Sequence, residues 1–176
     1  MEKYRAYKPV DDTDREKFEH YLETIPQTIR QGFKCFAELC GSHHIVCEDV
    51  INHQDKRLYL PIVGRSDFSV QDLRKEQSLP GVHSTTTASQ ADLLSVLELK
   101  CSFGKAMKLR KDGSRSFSNA RLPSIPNPMH LQQLSFYYTA KKPADVKLIY
   151  LTANGSQTFH KGNCADLEPE NMKNYY

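Results

Sequence analysis

Glu98 and Lys100 carry the side chains for phosphate chemistry. They close the segment Asp92-Leu93-Leu94-Ser95-Val96-Leu97-Glu98-Leu99-Lys100-Cys101-Ser102-Phe103. An apolar run, Leu93 to Leu97, ends in a carboxylate, one apolar residue and an ammonium. Strand residues alternate faces, so Glu98 and Lys100 point the same way while Leu99 points into the core. Charged side chains are almost never buried without a partner or a metal. A carboxylate that holds a divalent cation, beside a lysine that positions a water or steadies a phosphate, is what metal-assisted phosphodiester hydrolysis needs. Glu-x-Lys by itself is short and common, and its ordinary meaning is a solvent-facing strand edge.

Three further stretches bear on that pair. Upstream, Leu60-Pro61-Ile62-Val63-Gly64-Arg65-Ser66-Asp67-Phe68 puts Asp67 just past a glycine that lets backbone or ligand approach closely. If its strand neighbours that of Glu98, the two carboxylates converge on one ion, a normal ligand set for Mg²⁺ with waters and substrate phosphate. Asp67 reads equally as an ordinary strand-end aspartate. Downstream, Gln133 and Tyr137 are four apart on an expected helix, hence on one face, where amide and phenol can both donate to a phosphate or a base. The same spacing fits an amphipathic helix with Tyr137 in its core. Between them, the stretch from Gly104 to Arg121 holds Lys105, Lys108, Arg110, Lys111, Arg115 and Arg121 against Asp112 alone. Lys and Arg contacts to phosphates supply most non-specific nucleic-acid affinity, and Phe103 and Phe117 could stack on bases of a single strand. A solvated basic loop is the plain alternative.

The elements that must position these residues follow from pattern. Residues 13–40 are expected helical, with Pro26 breaking or kinking the run. A second helix from about Gln27 to Leu39 carries Ile29, Phe33, Phe36 and Leu39 on one stripe and stops at Gly41. His44–Ile51 and Leu58–Val70 read as an antiparallel hairpin. Residues 71–91, polar and rich in Ser and Thr, read as a surface insertion. Leu93–Cys101 is the central strand, 104–128 an extended loop, and Met129–Lys141 a helix with Leu131, Leu134, Tyr137 and Tyr138 inward. Val146–Ala153 and Gln157–His160 are strands joined by an Asn154-Gly155 turn, and 165–175 is a short helix. The fold class expected is α/β (α+β), a mixed sheet flanked by helices in a single domain spanning 1–176.

The net charge of +3 permits a nucleic-acid partner without arguing for one. No apolar run approaches the ~18 residues of a membrane span, and the first residues lack the apolar stretch of a secretory signal. Cys35, Cys40, Cys47, Cys101 and Cys164 form no Cys-x-x-Cys pair, which speaks against a zinc ribbon. An odd count without a signal fits reduced, buried thiols in an intracellular, cytoplasmic protein.

In order, Gly-Arg-Ser-Asp, Glu-Leu-Lys, the basic stretch and Gln-Leu-x-x-Tyr resemble the PD-(D/E)XK nuclease superfamily, in particular its RecB-like branch with phage exonucleases, over residues 44–160. The resemblance implies a restriction-endonuclease-like core and a DNA exonuclease dependent on Mg²⁺ or Mn²⁺. Asp67 and Glu98 would hold the metal with the Leu99 carbonyl, Lys100 would orient or deprotonate the attacking water, and Gln133 and Tyr137 would hold the DNA end or scissile phosphate. The family often has a further acid or histidine on the helix before the first strand; Glu38, Glu48 and Gln31 are the candidates here. Asp92 lies about 20 Å along the strand from Glu98 at ~3.3 Å per residue, too far to share its ion. The other class open to the sequence is a catalytically silent nucleic-acid-binding module on the same fold, and a structure-specific or RNA endonuclease would share the chemistry.

Overall fold

The central strand buries apolar residues on both faces because it is covered on both. In the computed structural model, which describes residues 12–41, 43–57, 59–71, 93–102, 105–113, 115–118 and 120–175, five strands form one sheet. They are β1 (His44–His53), β2 (Ile62–Gln71), β3 (Leu93–Cys101), β6 (Asp145–Thr152) and β7 (Gly155–Phe159). Their spatial order is β1-β2-β3-β6-β7, with β3 and β6 parallel and every other pair antiparallel. This is an α+β protein with a mixed sheet between helices, as the element order predicts. The expected insertion at 71–91 and Asp92 lie outside the described residues, apart from Gln71, which ends β2.

Helix α1 (Asp12–Cys40) covers one face. Cys35, Cys40, Val70, Leu97, Ile149 and Leu151 form the core there. Helix α2 (Pro128–Lys141) and the C-terminal turns cover the other, where Val96, Leu131, Leu134, Val146, Leu148, Leu167 and Met172 pack. Successive β3 residues, Val96 and Leu97, thus enter different cores, each nearly free of solvent. Burial of one such side chain contributes about 1.5–3 kcal/mol.

Several elements depart from expectation. α1 is one continuous helix with Pro26 inside it. Pro26 and Leu22 are both exposed, so the Leu22 carbonyl that loses its donor faces water. The stripe expected to be buried is partly outside: Ile29 is 54% and Phe33 74% exposed. The sheet-facing side of the helix is instead built from small residues, Thr24, Thr28, Gly32 and Cys35. A Cβ on Gly32 would come within 3.1 Å of Leu151, so the close approach of helix to sheet selects a residue without a side chain. The expected extended loop contains a two-stranded hairpin, β4 (Lys105–Leu109) with β5 (Arg115–Ser118). The C-terminal segment is not one helix but three short turns, Ala165–Leu167, α3 (Pro169–Met172) and Lys173–Tyr175, divided at Pro169. Cys47 and Cys101 are exposed, whereas Cys35 and Cys40 are buried and all five thiols are free.

The feature that bears most on the candidate site is a change of face shared by β1 and β2. Ile45 and Ile51 are six residues apart and would share a face on a regular strand, yet they enter opposite cores. Gly64 and Phe68 are four apart, yet Gly64 faces Phe136 and Tyr137 of α2 while Phe68 packs under α1. The pairing steps from Cys47↔Phe68 to Asp49↔Ser66, passing over Glu48 and Asp67. Glu48 adopts φ +53°, a left-handed conformation that costs a residue with a Cβ about 1–2 kcal/mol. Irregularities of this kind re-aim side chains beside functional sites, and the side chain re-aimed here is Asp67.

Candidate active site

β2 and β3 are hydrogen-bonded only as far as Phe68↔Leu97. One step on, Asp67 is free of both ladders, and its carboxylate Oδ2 accepts the Leu99 N–H at 2.7 Å. In a strand the N–H and C=O of one residue point to the same side, so the Leu99 carbonyl faces the same gap. The same register places Glu98 opposite Asp67, and the negative charge of Asp67 acts on Glu98. The two carboxylates and the Leu99 backbone therefore meet where the strands part, as the motif order predicts.

Glu98 is 1% exposed. Its Oε1 accepts from the Lys100 ammonium, as the shared face requires, and Lys100 Nζ also donates to Gln133 Oε1 at 3.1 Å. Gln133 Nε2 donates to the Tyr137 hydroxyl at 2.6 Å, which in turn donates to the Arg65 carbonyl at 2.7 Å. One chain of hydrogen bonds thus ties Glu98 on β3, through α2, to the backbone of β2 beside Asp67. It fixes the Lys100 ammonium beside the Glu98 carboxylate. Gly64 lets this happen: a Cβ there would lie 2.5 Å from the Phe136 ring and 3.3 Å from that of Tyr137. The close approach at this glycine is made by helix α2, not by a ligand.

Tyr137 is 2% exposed, and its hydroxyl hydrogen is committed to Arg65. In this arrangement it cannot donate to a phosphate as the sequence suggests; it anchors Gln133. Burial raises its pKa, and the Glu98 and Asp67 charges raise it further against the lowering effect of the Gln133 bond, so it stays a neutral phenol. Gln133 is half-buried and keeps the amide beside Lys100.

Burial pushes the Glu98 carboxyl above its usual range. The Lys100 hydrogen bond opposes this and the Asp67 charge adds to it. Glu98 Oε2 is buried with no hydrogen-bond partner among the described residues. Leaving a charged oxygen unpaired costs at least ~1–3 kcal/mol. A buried carboxylate oxygen without a donor, a second carboxylate across the gap and a main-chain carbonyl are hard oxygen donors suited to Mg²⁺ or Mn²⁺. The residues present fit such an ion. Among the described residues no group of three or more His, Cys, Asp or Glu side chains is placed to hold a metal. Mg²⁺ sites can use one or two carboxylates and leave the remaining positions to water and phosphate. Glu38 is exposed on α1, and Glu48 pairs with Arg65 at 2.9 Å, so neither supplies a further ligand. Gln31 sits on α1, which covers the opposite face of the sheet.

Of the basic residues, Arg121 joins the site, sharing a cleft with Lys100. Arg110 and Lys111 are exposed at the turn of the β4–β5 hairpin, and the side chains of Lys105, Lys108, Arg115 and Phe117 lie outside what is described, as does Phe103. The pattern reading missed His130. Its Nδ1 lies 2.7 Å from the Tyr150 hydroxyl, and it lines the cleft with Lys100 and Arg121. The signal was available: His130, Gln133 and Tyr137 are spaced i, i+3, i+7 and so form one stripe of α2.

No protein-family model matches this chain, and no curated protein matches it. Among solved structures it is similar to that of a protein designated SSO0001, with a TM-score of 0.41 and 13% identity over 86% of this chain. The match spans only 56% of that protein's chain. Among the described residues, no helix is long and apolar enough to cross a membrane.

Proposed function

We propose that the protein is a metal-dependent DNA exonuclease of the PD-(D/E)XK type with a restriction-endonuclease-like core. The observation that carries this reading is the buried Glu98, one oxygen held by Lys100 and the other without a donor, facing Asp67 where β2 and β3 separate. Asp67, Glu98 and the Leu99 carbonyl would hold Mg²⁺ or Mn²⁺. A cation bound there supplies Lewis-acid polarisation of the phosphate and a water acidic enough to attack at neutral pH.

The residues of the chain do the rest. Lys100, held by Glu98 and Gln133, orients the attacking water and offsets the charge that develops on the phosphate. Gln133 keeps the ammonium from swinging away. Tyr137 and the Arg65 carbonyl keep Gln133 in place. The exposed Arg110 and Lys111 at the hairpin turn, and Arg121 beyond it, meet the DNA backbone.

The test is cleavage of end-labelled linear DNA and of closed circular DNA in Mg²⁺, Mn²⁺ and EDTA, with Lys100→Ala alongside. An exonuclease degrades the linear DNA only, needs the cation and is lost in the variant. Cleavage of circles would make it an endonuclease. Cation-dependent degradation unchanged in Lys100→Ala would remove the assigned site, and DNA binding without cleavage would leave a silent binding module.

A further inference from the structure

A cleft of about 770 Å³ opens from Lys100 and runs between the end of β3, β6 and the segment 121–128 that leads into α2. Its walls differ in kind. Pro123, Ile125 and Pro126 give an apolar side, and Ile125 is 74% exposed. Lys100, Arg121 and His130 give a polar one. The start of α2 is not the anion site: Asn127 already caps it, its side chain accepting the Met129 N–H at 2.9 Å and its carbonyl the His130 N–H at 2.9 Å. The cations of the cleft are therefore the side chains of Lys100 and Arg121. Among the described residues Arg121 has no acidic partner.

His130 is set as a reader rather than a charge. The Tyr150 hydroxyl accepts the Asn127 N–H at 3.0 Å and shares a hydrogen bond of 2.7 Å with His130 Nδ1. That bond engages Nδ1 and leaves Nε2, which donates in one neutral tautomer and accepts in the other, for a ligand edge. Burial and the nearby Lys100 charge lower the pKa of this imidazole and keep it neutral. Tyr150 pairs with Lys100 across the parallel β3–β6 ladder, so the reader and the catalytic lysine are adjacent.

A cleft of this volume is the size of a small-ligand site and has no room for a duplex. One apolar wall, one arginine and one neutral hydrogen-bonding ring match the parts of a nucleotide: a base or sugar face, a phosphate and a base edge. We propose that this cleft is the subsite for one unpaired nucleotide of a DNA strand, held by Ile125 and Pro123 against the base or sugar, Arg121 on phosphate and His130 on a polar edge. Its position next to the scissile phosphate rests on the nuclease reading; the binding itself does not.

The test uses the full chain in EDTA, titrated with thymidine 5′-monophosphate and followed by NMR chemical shifts. The proposal expects saturable shifts in residues 121–130, binding weakened at least tenfold in Arg121→Ala and Ile125→Ala, and loss in His130→Ala partly rescued by His130→Gln. Shifts confined to the β4–β5 hairpin, or equal affinity in all three cleft variants, would overturn it. A parallel Mn²⁺ assay on single-stranded DNA separates the two claims. Nucleotide bound in the cleft without cleavage keeps the subsite and removes the nuclease. Cleavage with parental KM in Arg121→Ala and His130→Ala keeps the nuclease and removes the subsite.

Discussion

The two faces of β3 are built by the same nine residues and could hardly be less alike. Under α2, Glu98 and Lys100 are locked into a hydrogen-bonded chain that ends on the backbone of β2. Under α1, Leu97 packs tightly, but Leu99 and Cys101 open onto an apolar groove of about 520 Å³ whose rim includes the exposed Ile29 and Phe33. Hydrogen bonds are directional and specify position, whereas apolar contact specifies only removal from water. The α2 face is therefore the one whose geometry can support chemistry, and the α1 face serves mainly to hold β3 in the sheet.

The largest stability effect should come from the α1 core. Leu97→Ala, which empties a fully buried site, should cost about 2–5 kcal/mol in denaturant unfolding. Phe33→Ala on the same side, at a residue 74% exposed, should stay within about 0.5 kcal/mol. Equal losses would show that the groove is closed in solution.

Gly64→Ala comes next. The new methyl meets the Phe136 ring, and forcing the ring aside should cost about 1–3 kcal/mol. The same displacement moves Tyr137 and Gln133, so activity should fall further than stability explains; activity that merely tracks stability would detach the glycine from the site.

Tyr137→Phe leaves the Arg65 carbonyl and the Gln133 amide without their partner and should cost about 1–2 kcal/mol. Its kinetic signature should be a lower kcat with little change in KM, because Tyr137 positions Lys100 through Gln133 and does not touch substrate. A change confined to KM would make Tyr137 a substrate contact after all.

The smallest effect is the pH dependence of the metal-free protein. Glu98 binds its proton more tightly folded than unfolded, so its contribution to stability falls as pH rises from the unfolded carboxyl value of about 4.3 through the raised folded one. The difference between parent and Glu98→Gln should follow that slope in thermal unfolding, and Mn²⁺ should cancel it. A difference of opposite sign would mean that the Lys100 pair outweighs burial.

Much of this was legible in the sequence where a local rule decides. β3 has the predicted bounds and Leu131 and Leu134 face inward from α2, while the β6–β7 hairpin turns one residue earlier than Asn154-Gly155 suggests, with Ala153-Asn154 as its loop and Gly155 already paired with Thr152. Glu98 and Lys100 share a face because strand period leaves no alternative. What the pattern hid depends on distant partners. Pro26 sits within a helix because its side faces water, and Gly32 takes the position beside Leu151 that an apolar stripe was expected to fill. The face change at Glu48 and Asp67 breaks strand period, so the period cannot reveal it. Tyr137 was legible as a site residue, but its anchoring role required the Arg65 carbonyl, 72 residues away.

The central claim is that Glu98, facing Asp67 with Lys100 beside it, makes this protein a cation-dependent nuclease. The direct measurement is the rate at which parent and Glu98→Gln, each shown folded by circular dichroism, release nucleotide from end-labelled linear DNA in Mn²⁺. The account predicts cleavage by the parent that EDTA abolishes, and a loss on the order of 10³-fold in the variant. Parental rates in folded Glu98→Gln, or no cation-dependent cleavage by the parent, would contradict it.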